Sequence, residues 1–232
     1  QNEPFLLPKV LDKYLREFAD STAGINIQSV AQGKRGLVGT AMDLFKLYGF
    51  GYFQWKLRKF IFRKIAGKLV NEWFGSTRTC YSVKAVAKKY GVPVTEAVNV
   101  NSDEFLTHLR EAGVEFIVSI SGTQFYGKKL RDQTSKGIVN CHGALLPKYR
   151  GLMPSFWPLA NGETEGGVSV HFVNEKIDDG PIIVQKRYRI WPRDTVEGIM
   201  ARSKDLAAEA IIECVHLVES GDFEMMPNDE SE

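Results

Sequence analysis

From residue 82 onward, segments with helical and extended patterns alternate regularly, and this alternation restricts the fold more than any other feature of the chain. Two glycines, Gly91 and Gly113, stand where helices are expected to end, and each is followed by a short extended segment. Residues 114–120 and 138–141 have the mostly apolar composition of strands buried on both faces of a sheet. Strands that alternate with helices in this way form parallel sheets covered by crossover helices. The chain is therefore predicted to be an α/β protein with a mostly parallel sheet.

The later third of the chain has a different pattern. Residues 167–173 alternate between apolar and polar positions, and residues 181–190 form a second extended segment after a turn that contains Asp178 and Gly180. Two strands joined by a short connection are predicted to add an antiparallel pair to the sheet.

Caps and chain breaks place the remaining elements. Helices are predicted over residues 8–19, 40–48, 82–90, 101–112 and 194–219, and short strands over residues 25–31 and 92–95. Asn101 and Glu104 have the spacing of a capping box, and so do Asp194 and Glu197. The polar tail, residues 227–232, is expected to fray.

Residues 52–70 are predicted to form a basic amphipathic helix, an insertion relative to a compact α/β core. Its apolar stripe consists of Phe53, Leu57, Phe60, Ile61, Ile65 and Leu69. Lys56, Lys59 and Arg63 line another face, and neither Asp nor Glu occurs from residue 44 through residue 71. The preferred interpretation is a helix that packs on a core and exposes a solvated basic face. Contact with a membrane surface and binding of a polyanion are the two alternatives.

Composition excludes several classes of protein. The 232 residues carry a formal net charge of +2, too small for a chain that binds nucleic acid through its overall charge. Three widely spaced cysteines and four scattered histidines, without a CxxC motif, argue against disulfides and structural zinc and favour a reducing compartment. No apolar run approaches the roughly 20 residues of a membrane span, and the N-terminus lacks a signal-peptide pattern. We therefore expect a single cytoplasmic domain over residues 1–232.

Two polar residues stand at the end of the predicted strand 138–141, Asn140 within it and His142 directly after it. Asn140 and His142 stand two positions apart, so their side chains share a face, whereas Cys141 points away and is a poor nucleophile candidate. An amide and an imidazolium can both donate to an oxygen that gains negative charge, and a carboxylate such as Asp178 can hold the imidazole. From spacing alone, all three residues can also be structural, and His171 is interpreted as structural.

Five short motifs occur in order between residues 140 and 180. They are Asn140-x-His142, Ala144-Leu-Leu-Pro147, Tyr149-Arg-Gly151, Gly167-Val-Ser-Val-His-Phe172 and Ile177-Asp178-x-Gly180. Together they resemble the catalytic core of the folate-dependent formyltransferases, which act on glycinamide ribonucleotide, methionyl-tRNA or sugar amines. The resemblance is strongest over residues 114–190. It implies a Rossmann-like three-layer sandwich, N10-formyltetrahydrofolate as formyl donor, a primary amine as acceptor and no metal.

The resemblance also implies roles for individual residues. Asn140 and His142 would bind the formyl oxygen as it becomes an oxyanion, and Asp178 would hold His142 and help to move the proton. The folate would lie against Ser121, Gly122, Thr123, Gln124, Phe125, Leu145, Ile177 and Gly180. Tyr149 and Arg150 would contact the acceptor or anchor their own loop.

Three departures from the family pattern bear on the acceptor. The family's first strand is expected to be absent from residues 1–232, because residues 1–5 already resemble the loop that follows it. A second domain like that of the tRNA-directed members is not expected after the core, and the first loop lacks the Gly-Ser-Asn pattern of the glycinamide ribonucleotide enzymes. A small amine, such as a nucleotide-linked amino sugar, is therefore expected, and a nucleic acid is not. The alternatives are a hydrolase that releases formate from the folate, and a non-catalytic binding module for folate or a nucleotide sugar. The oligomeric state is left open.

Overall fold

The computed structural model describes residues 5–28 and 36–229, with the side chains of residues 36–44, 46–48 and 52 outside the description. The chain divides into two compact units, Gln1–Val98 and Asn99–Glu232. The single domain expected over residues 1–232 stays a prediction.

The first unit combines helices with a short parallel strand pair. Its described elements are α1 (Leu7–Phe18), β1 (Ile25–Asn26), α2 (Gly36–Gly67), a π-helical turn (Lys68–Trp73), α3 (Val83–Tyr90) and β2 (Val94–Thr95). β1 pairs in parallel with β2, and α1 packs against α3. The helices predicted over residues 8–19 and 82–90 are therefore present. The strand predicted over residues 25–31 ends earlier, and residues 29–31 lie outside the described residues.

α2 consists of two helical segments that meet at Gly49. The backbone of Gly49 (φ 71°, ψ 167°) is far from helical values and breaks the helix there. The segment after Gly49 contains most of the helix predicted over residues 52–70. The expectation that its apolar stripe packs on a core is wrong for most of the stripe. The exposed members are Leu57, Phe60, Ile61, Ile65 and Leu69.

The second unit is built on a four-stranded sheet with helices. Its elements are α4 (Asp103–Glu111), β3 (Phe116–Ile120), α5 (Lys128–Gln133), β4 (Gly137–His142), α6 (Trp157–Ala160), β5 (Glu165–Phe172), β6 (Ile182–Arg189) and α7 (Val196–Ser220). The strand order is β3-β4-β5-β6, in which β3 and β4 are parallel and β5 and β6 are added antiparallel. This arrangement confirms the predicted α/β class, with parallel strands extended by an antiparallel pair.

Two predicted helix caps lie one position away from the observed ones. Ser102, not Asn101, caps α4 by accepting a hydrogen bond from the amide of Phe105. Thr195, not Asp194, caps α7 by accepting from the amide of Gly198. The displaced residues make other contacts. Asp194 pairs with Arg202 (2.9 Å), and Asn101 binds the backbone of Phe125 (2.8 Å) and Gly127 (2.6 Å).

The core of the second unit lies between α7 and the antiparallel strands. Its fully buried members include Val168, Val170, Ile199, Ala208, Ile211 and Cys214. Each fully buried valine or isoleucine side chain among them contributes roughly 1.5–3 kcal/mol through removal from water. The packing fixes β4, β5 and their connecting loops, which carry the polar residues singled out in the sequence.

Candidate active site

Asn140, His142 and Asp178 lie together where β4 ends. One carboxylate oxygen of Asp178, Oδ1, accepts a hydrogen bond from Asn140 Nδ2 (3.3 Å), and the other, Oδ2, lies 3.3 Å from His142 Nδ1. β4 places Asn140 and His142 on the same face because they are two residues apart, and the segment between β5 and β6 supplies Asp178. The side chains of His142 and Asp178 are only 5% and 10% exposed.

His171 is a fourth member of this cluster, which the sequence interpretation missed. It is the direct neighbour of Asn140 across the antiparallel pair of β4 and β5. Its Nε2 lies 3.4 Å from both Asp178 Oδ1 and Asn140 Nδ2. The sequence interpreted His171 as structural, and the structure places its ring in contact with two of the three candidate residues. Knowledge of the strand register would have revealed it.

Backbone carbonyls determine which ring nitrogens carry protons. A carbonyl oxygen only accepts, so His142 Nε2 donates to the Tyr149 carbonyl (2.8 Å), and His171 Nδ1 donates to the Phe172 carbonyl (2.8 Å). The remaining nitrogens, His142 Nδ1 and His171 Nε2, both face Asp178. A further proton on His142 Nδ1 would lie next to the carboxylate.

Burial and neighbouring charges together determine the pKa values of His142 and Asp178. Burial lowers the pKa of His142, and the opposing effects of Asp178 and the Tyr149 carbonyl do not cancel it. Burial alone would raise the pKa of Asp178. The hydrogen bond from His171, the charge of His142 and the amide of Gly151 outweigh burial, so that this pKa is lowered overall. At neutral pH the site therefore combines a carboxylate anion with a neutral imidazole that can accept a proton.

The turn that carries Asp178 is held by the C-terminal tail. Asp178 has φ +49°, a left-handed conformation that Asp tolerates better than most residues. Asn228 Nδ2 donates to the carbonyls of Asp178 and Gly180 (2.9 Å each). Met226 pairs with Ile182 through two backbone hydrogen bonds. The tail is thus bound to the site through Asn228, and the expectation that residues 227–232 fray is wrong at that residue. Residues 230–232 lie outside the described residues.

Arg150 connects the loop after β4 to the same turn and tail. Its Nη1 pairs with Asp179 Oδ1 (2.8 Å), and its Nη2 donates to the backbone carbonyl of Asn228 (2.7 Å). Tyr149 donates its hydroxyl to Glu163 Oε1 (2.8 Å). Of the two roles considered for Arg150 and Tyr149, these contacts favour anchoring of the loop.

The loop proposed to cradle the folate is fixed from several sides. Ser121 has φ +55°, and its hydroxyl accepts from Lys204 Nζ (2.7 Å). A Cβ at Gly122 would lie 2.7 Å from Ser119 Oγ and from the Tyr126 hydroxyl. Gln124 accepts from the amide of Val100 (3.1 Å), so at least one end of its side chain serves to hold the loop.

The other predicted folate contacts differ in their surroundings. Thr123, Phe125 and Ile177 are exposed, and the two apolar side chains among them can cover the face of a planar ring. Leu145 packs so closely on Gly167 that a Cβ there would lie 2.3 Å from Leu145 Cδ2. Gly180 is required by packing, since a Cβ would lie 1.9 Å from the Phe172 carbonyl oxygen.

Cys141 is unsuited to nucleophilic attack, as the sequence indicated. It is buried, and burial raises the pKa of its thiol to about 11. Among the residues that the structure describes, no group of three or more His, Cys, Asp or Glu side chains is arranged to hold a metal ion.

The formyl transferase family model matches residues 72–215, which include the whole cluster. The chain belongs to the formyl transferase family. It is similar to the methionyl-tRNA formyltransferase of Kosmotoga olearia, with 34% identity over 154 residues, 65% of this chain and 48% of the relative. The enzyme of the same name from Thermotoga sp. strain RQ2 is 36% identical over 149 residues, 64% of this chain and 48% of the relative. The chain thus spans about half the length of the curated relatives it matches.

Solved formyl transferase structures share the fold of this chain. Glycinamide ribonucleotide transformylase 1 of Symbiobacterium toebii superimposes with a TM-score of 0.57 at 23% identity, covering 63% of this chain and 76% of that one. The formyltransferase PseJ of Anoxybacillus kamchatkensis, solved with a UDP-linked formamido sugar and tetrahydrofolate, gives 0.51 at 21% identity, with 62% and 74% covered. The resemblance drawn from the five motifs is therefore confirmed at the level of family and fold.

The packing at Gly180 gives a test of the turn. Gly180→Ala should lower the free energy of unfolding by about 1–3 kcal/mol, because the new methyl group overlaps the Phe172 carbonyl. Gly198→Ala is the matched control, since its Cβ would make only an ordinary contact of 3.5 Å with Thr195. Denaturant titration of both variants measures the difference. Equal midpoints would show that the turn can move without cost.

Proposed function

We propose that this formyl transferase moves a formyl group from N10-formyltetrahydrofolate to a primary amine. The observation that carries the proposal is the buried cluster of Asn140, His142 and Asp178 in a unit where the neighbouring thiol, Cys141, is inert. An amine is its own nucleophile, so the protein has to supply donors for the formyl oxygen and a route for the proton.

Each member of the cluster has one role in this proposal. Asn140 donates an amide hydrogen to the formyl oxygen as negative charge develops on it. His142 donates to the same oxygen through Nε2, the nitrogen that otherwise donates to the Tyr149 carbonyl. The formyl oxygen therefore takes the place of that carbonyl, and the loop that carries Tyr149 moves aside. Tyr149 has a φ of +60°, a strained backbone conformation that such a movement can relieve.

Asp178 holds the imidazole and completes the proton route. As the bond between the amine and the formyl carbon forms, the amine loses a proton, which passes through the Asp178 and His142 pair. The folate nitrogen takes up a proton as its bond to the formyl carbon breaks. The products are the formamide and tetrahydrofolate, so protons balance. The folate supplies the activated formyl group, and the protein supplies position and charge.

The acceptor is proposed to be a small amine, with a nucleotide-linked amino sugar as the leading candidate. Two structures with the same fold support this candidate: PseJ was solved with a UDP-linked formamido sugar, and the N-formyltransferase of Helicobacter canadensis with dTDP-3-aminofucose. Methionyl-tRNA is the second candidate, because the curated relatives at 34–36% identity are methionyl-tRNA formyltransferases.

An acceptor panel tests the reaction and separates the candidates. The protein is incubated with N10-formyltetrahydrofolate and, separately, amino-nucleotide sugars, glycinamide ribonucleotide, methionyl-tRNA or no amine. Mass spectrometry should show the gain of one formyl group on a sugar amine. Formylation of methionyl-tRNA alone would replace the leading acceptor by the second one. Formate release at full rate without any amine would show a hydrolase and contradict the transfer.

Substitutions in the cluster should abolish most turnover without unfolding the protein. His142→Ala and Asp178→Asn should lower kcat by roughly 10²–10⁴, the contribution of a positioned proton-transfer group. Asn140→Ala should cost roughly 10²–10³, the value of one donor to a developing oxyanion. His108→Ala, on the exposed face of α4, is the control and should leave kcat unchanged. Near-normal turnover in folded His142→Ala protein would remove His142 from the mechanism.

Asn228 should matter as a positioning residue, although it lies far along the chain. Asn228→Ala removes both hydrogen bonds that fix the Asp178 turn, and displacement of Asp178 by about 1 Å should lower kcat by about tenfold to a hundredfold. The neighbouring exposed residue gives the control, Asp229→Ala, which should be neutral. A fall in stability with unchanged kcat would show that Asn228 only holds the tail.

A further inference from the structure

The segment from residue 50 to residue 74, here called the amphipathic segment, exposes an unusual amount of apolar surface. More than half of the large apolar side chains that are exposed in the described part of the chain lie between residues 45 and 74. Those in the amphipathic segment are Phe50, Trp55, Leu57, Phe60, Ile61, Phe62, Ile65, Leu69, Trp73 and Phe74. Phe50 and Phe62 are 68% and 69% exposed, and Trp73 and Phe74 are 77% each. Large apolar side chains that cluster in this way along one exposed segment mark a site that another phase or molecule covers.

The same segment is rich in cations and poor in acidic residues. It contains six cations and, up to residue 71, no acidic residue; the cations are Lys56, Arg58, Lys59, Arg63, Lys64 and Lys68. Two lysines lie over aromatic rings of the same helix. Lys59 Nζ is 3.8 Å from the centre of the Trp55 ring, and Lys64 Nζ is 5.5 Å from that of Phe60. Cations and large apolar groups are thus interleaved on one surface.

We propose that the amphipathic segment lies flat on an anionic phospholipid bilayer. This partner is complementary to both features, because its acyl region takes up aromatic and aliphatic side chains while its headgroups attract lysine and arginine. The helical part after Gly49 is about 27 Å long at about 1.5 Å per residue, and its cations suit the interface. No helix in the described ranges is long and apolar enough to cross a membrane.

The fold separates the segment from the preceding helix and anchors its C-terminal end. Gly49 ends the preceding helical segment, so the two segments need not share one axis. At the other end, the buried Asn71 donates to the carbonyls of Ser76 and Thr79 (2.7 Å each) and accepts from the amide of Tyr81 (2.9 Å). The exposed apolar side chains are therefore presented on a helix anchored within its own unit.

Two other occupants fit the surface less well. A second copy of the segment would bring six cations against six others, with no acidic residue in residues 50–71 to pair with them. A nucleic acid would satisfy the lysines, but its phosphate backbone would leave Ile61, Ile65 and Leu69 exposed to water. The bilayer proposal does not depend on the proposed formyl transfer, so either can fail alone.

Vesicle binding by the full chain tests the proposal. The protein is sedimented with vesicles of phosphatidylcholine alone, with vesicles of phosphatidylcholine and phosphatidylserine, and with a generic RNA duplex. It should bind the phosphatidylserine vesicles, bind less well as salt is raised, and bind phosphatidylcholine weakly. No binding to the anionic vesicles at low salt would overturn the proposal.

Variants of exposed residues separate the two contributions while sparing the fold. Phe62→Ser should weaken vesicle binding roughly tenfold through the loss of apolar burial. The double variant K59Q/K64Q should weaken it about 30-fold, at roughly fivefold for each cation near an anionic surface. The controls are Trp191→Ser and the double variant K128Q/K129Q, which change exposed residues outside the segment and should bind as the parent does. Circular dichroism confirms that each variant is folded.

Two outcomes would assign the surface to another partner and overturn the proposal. One is RNA binding that K59Q/K64Q abolishes and Phe62→Ser leaves intact, without vesicle binding. The other is a dimer in sedimentation velocity that Phe62→Ser dissociates, again without vesicle binding.

Discussion

The buried carboxylate of Asp178 is the group on which the candidate site depends. It accepts from the amide of Asn140 and the backbone of Gly151, and it faces ring nitrogens of His142 and His171. A carboxylate removed from water is costly unless donors surround it, and here those donors come from β4, β5 and the loop after β4. Three parts of the chain therefore meet at the Asp178 carboxylate, because each supplies a donor to it.

The charge of Asp178 also explains why so many surrounding contacts hold the turn that carries it. Asp178 reaches its partners from a position with positive φ in a turn that the contacts of Asn228 hold in place. Arg150 ties the same turn to the loop whose Tyr149 carbonyl accepts from His142. A displacement of the Asp178 turn would leave its buried carboxylate without donors. The turn is thus held in place because its polar groups are mutually satisfied.

Local patterns predicted the parts of this structure that depend on local physics. The strand that ends at His142 was predicted from its apolar composition, and the face shared by Asn140 and His142 from the geometry of an extended chain. The residues that were missed depend on pairing between distant segments. His171 enters the site through its register with Asn140, and Asn228 through a contact with residue 178. A sequence gives the type of each side chain but does not show which distant residue that side chain will contact.

The misplaced caps follow the same reasoning. Asn101 and Ser102 can both cap a helix, and so can Asp194 and Thr195, so spacing alone does not choose between neighbours. The structure chooses the neighbour that leaves the other residue available for a tertiary contact. Asn101 then holds the loop before α5, and Asp194 pairs with Arg202. The local pattern therefore predicts both helices correctly, and only the cap residue at the start of each differs by one position.

The acceptor is the property that the family core determines least. Enzymes directed at a ribonucleotide, a sugar nucleotide or a tRNA share this fold or this family with the chain. An oxyanion donor, an imidazole and a carboxylate serve formyl transfer to any primary amine, because the chemistry involves only the amine nitrogen and the formyl group. Discrimination between amines must therefore come from side chains that touch the rest of the acceptor.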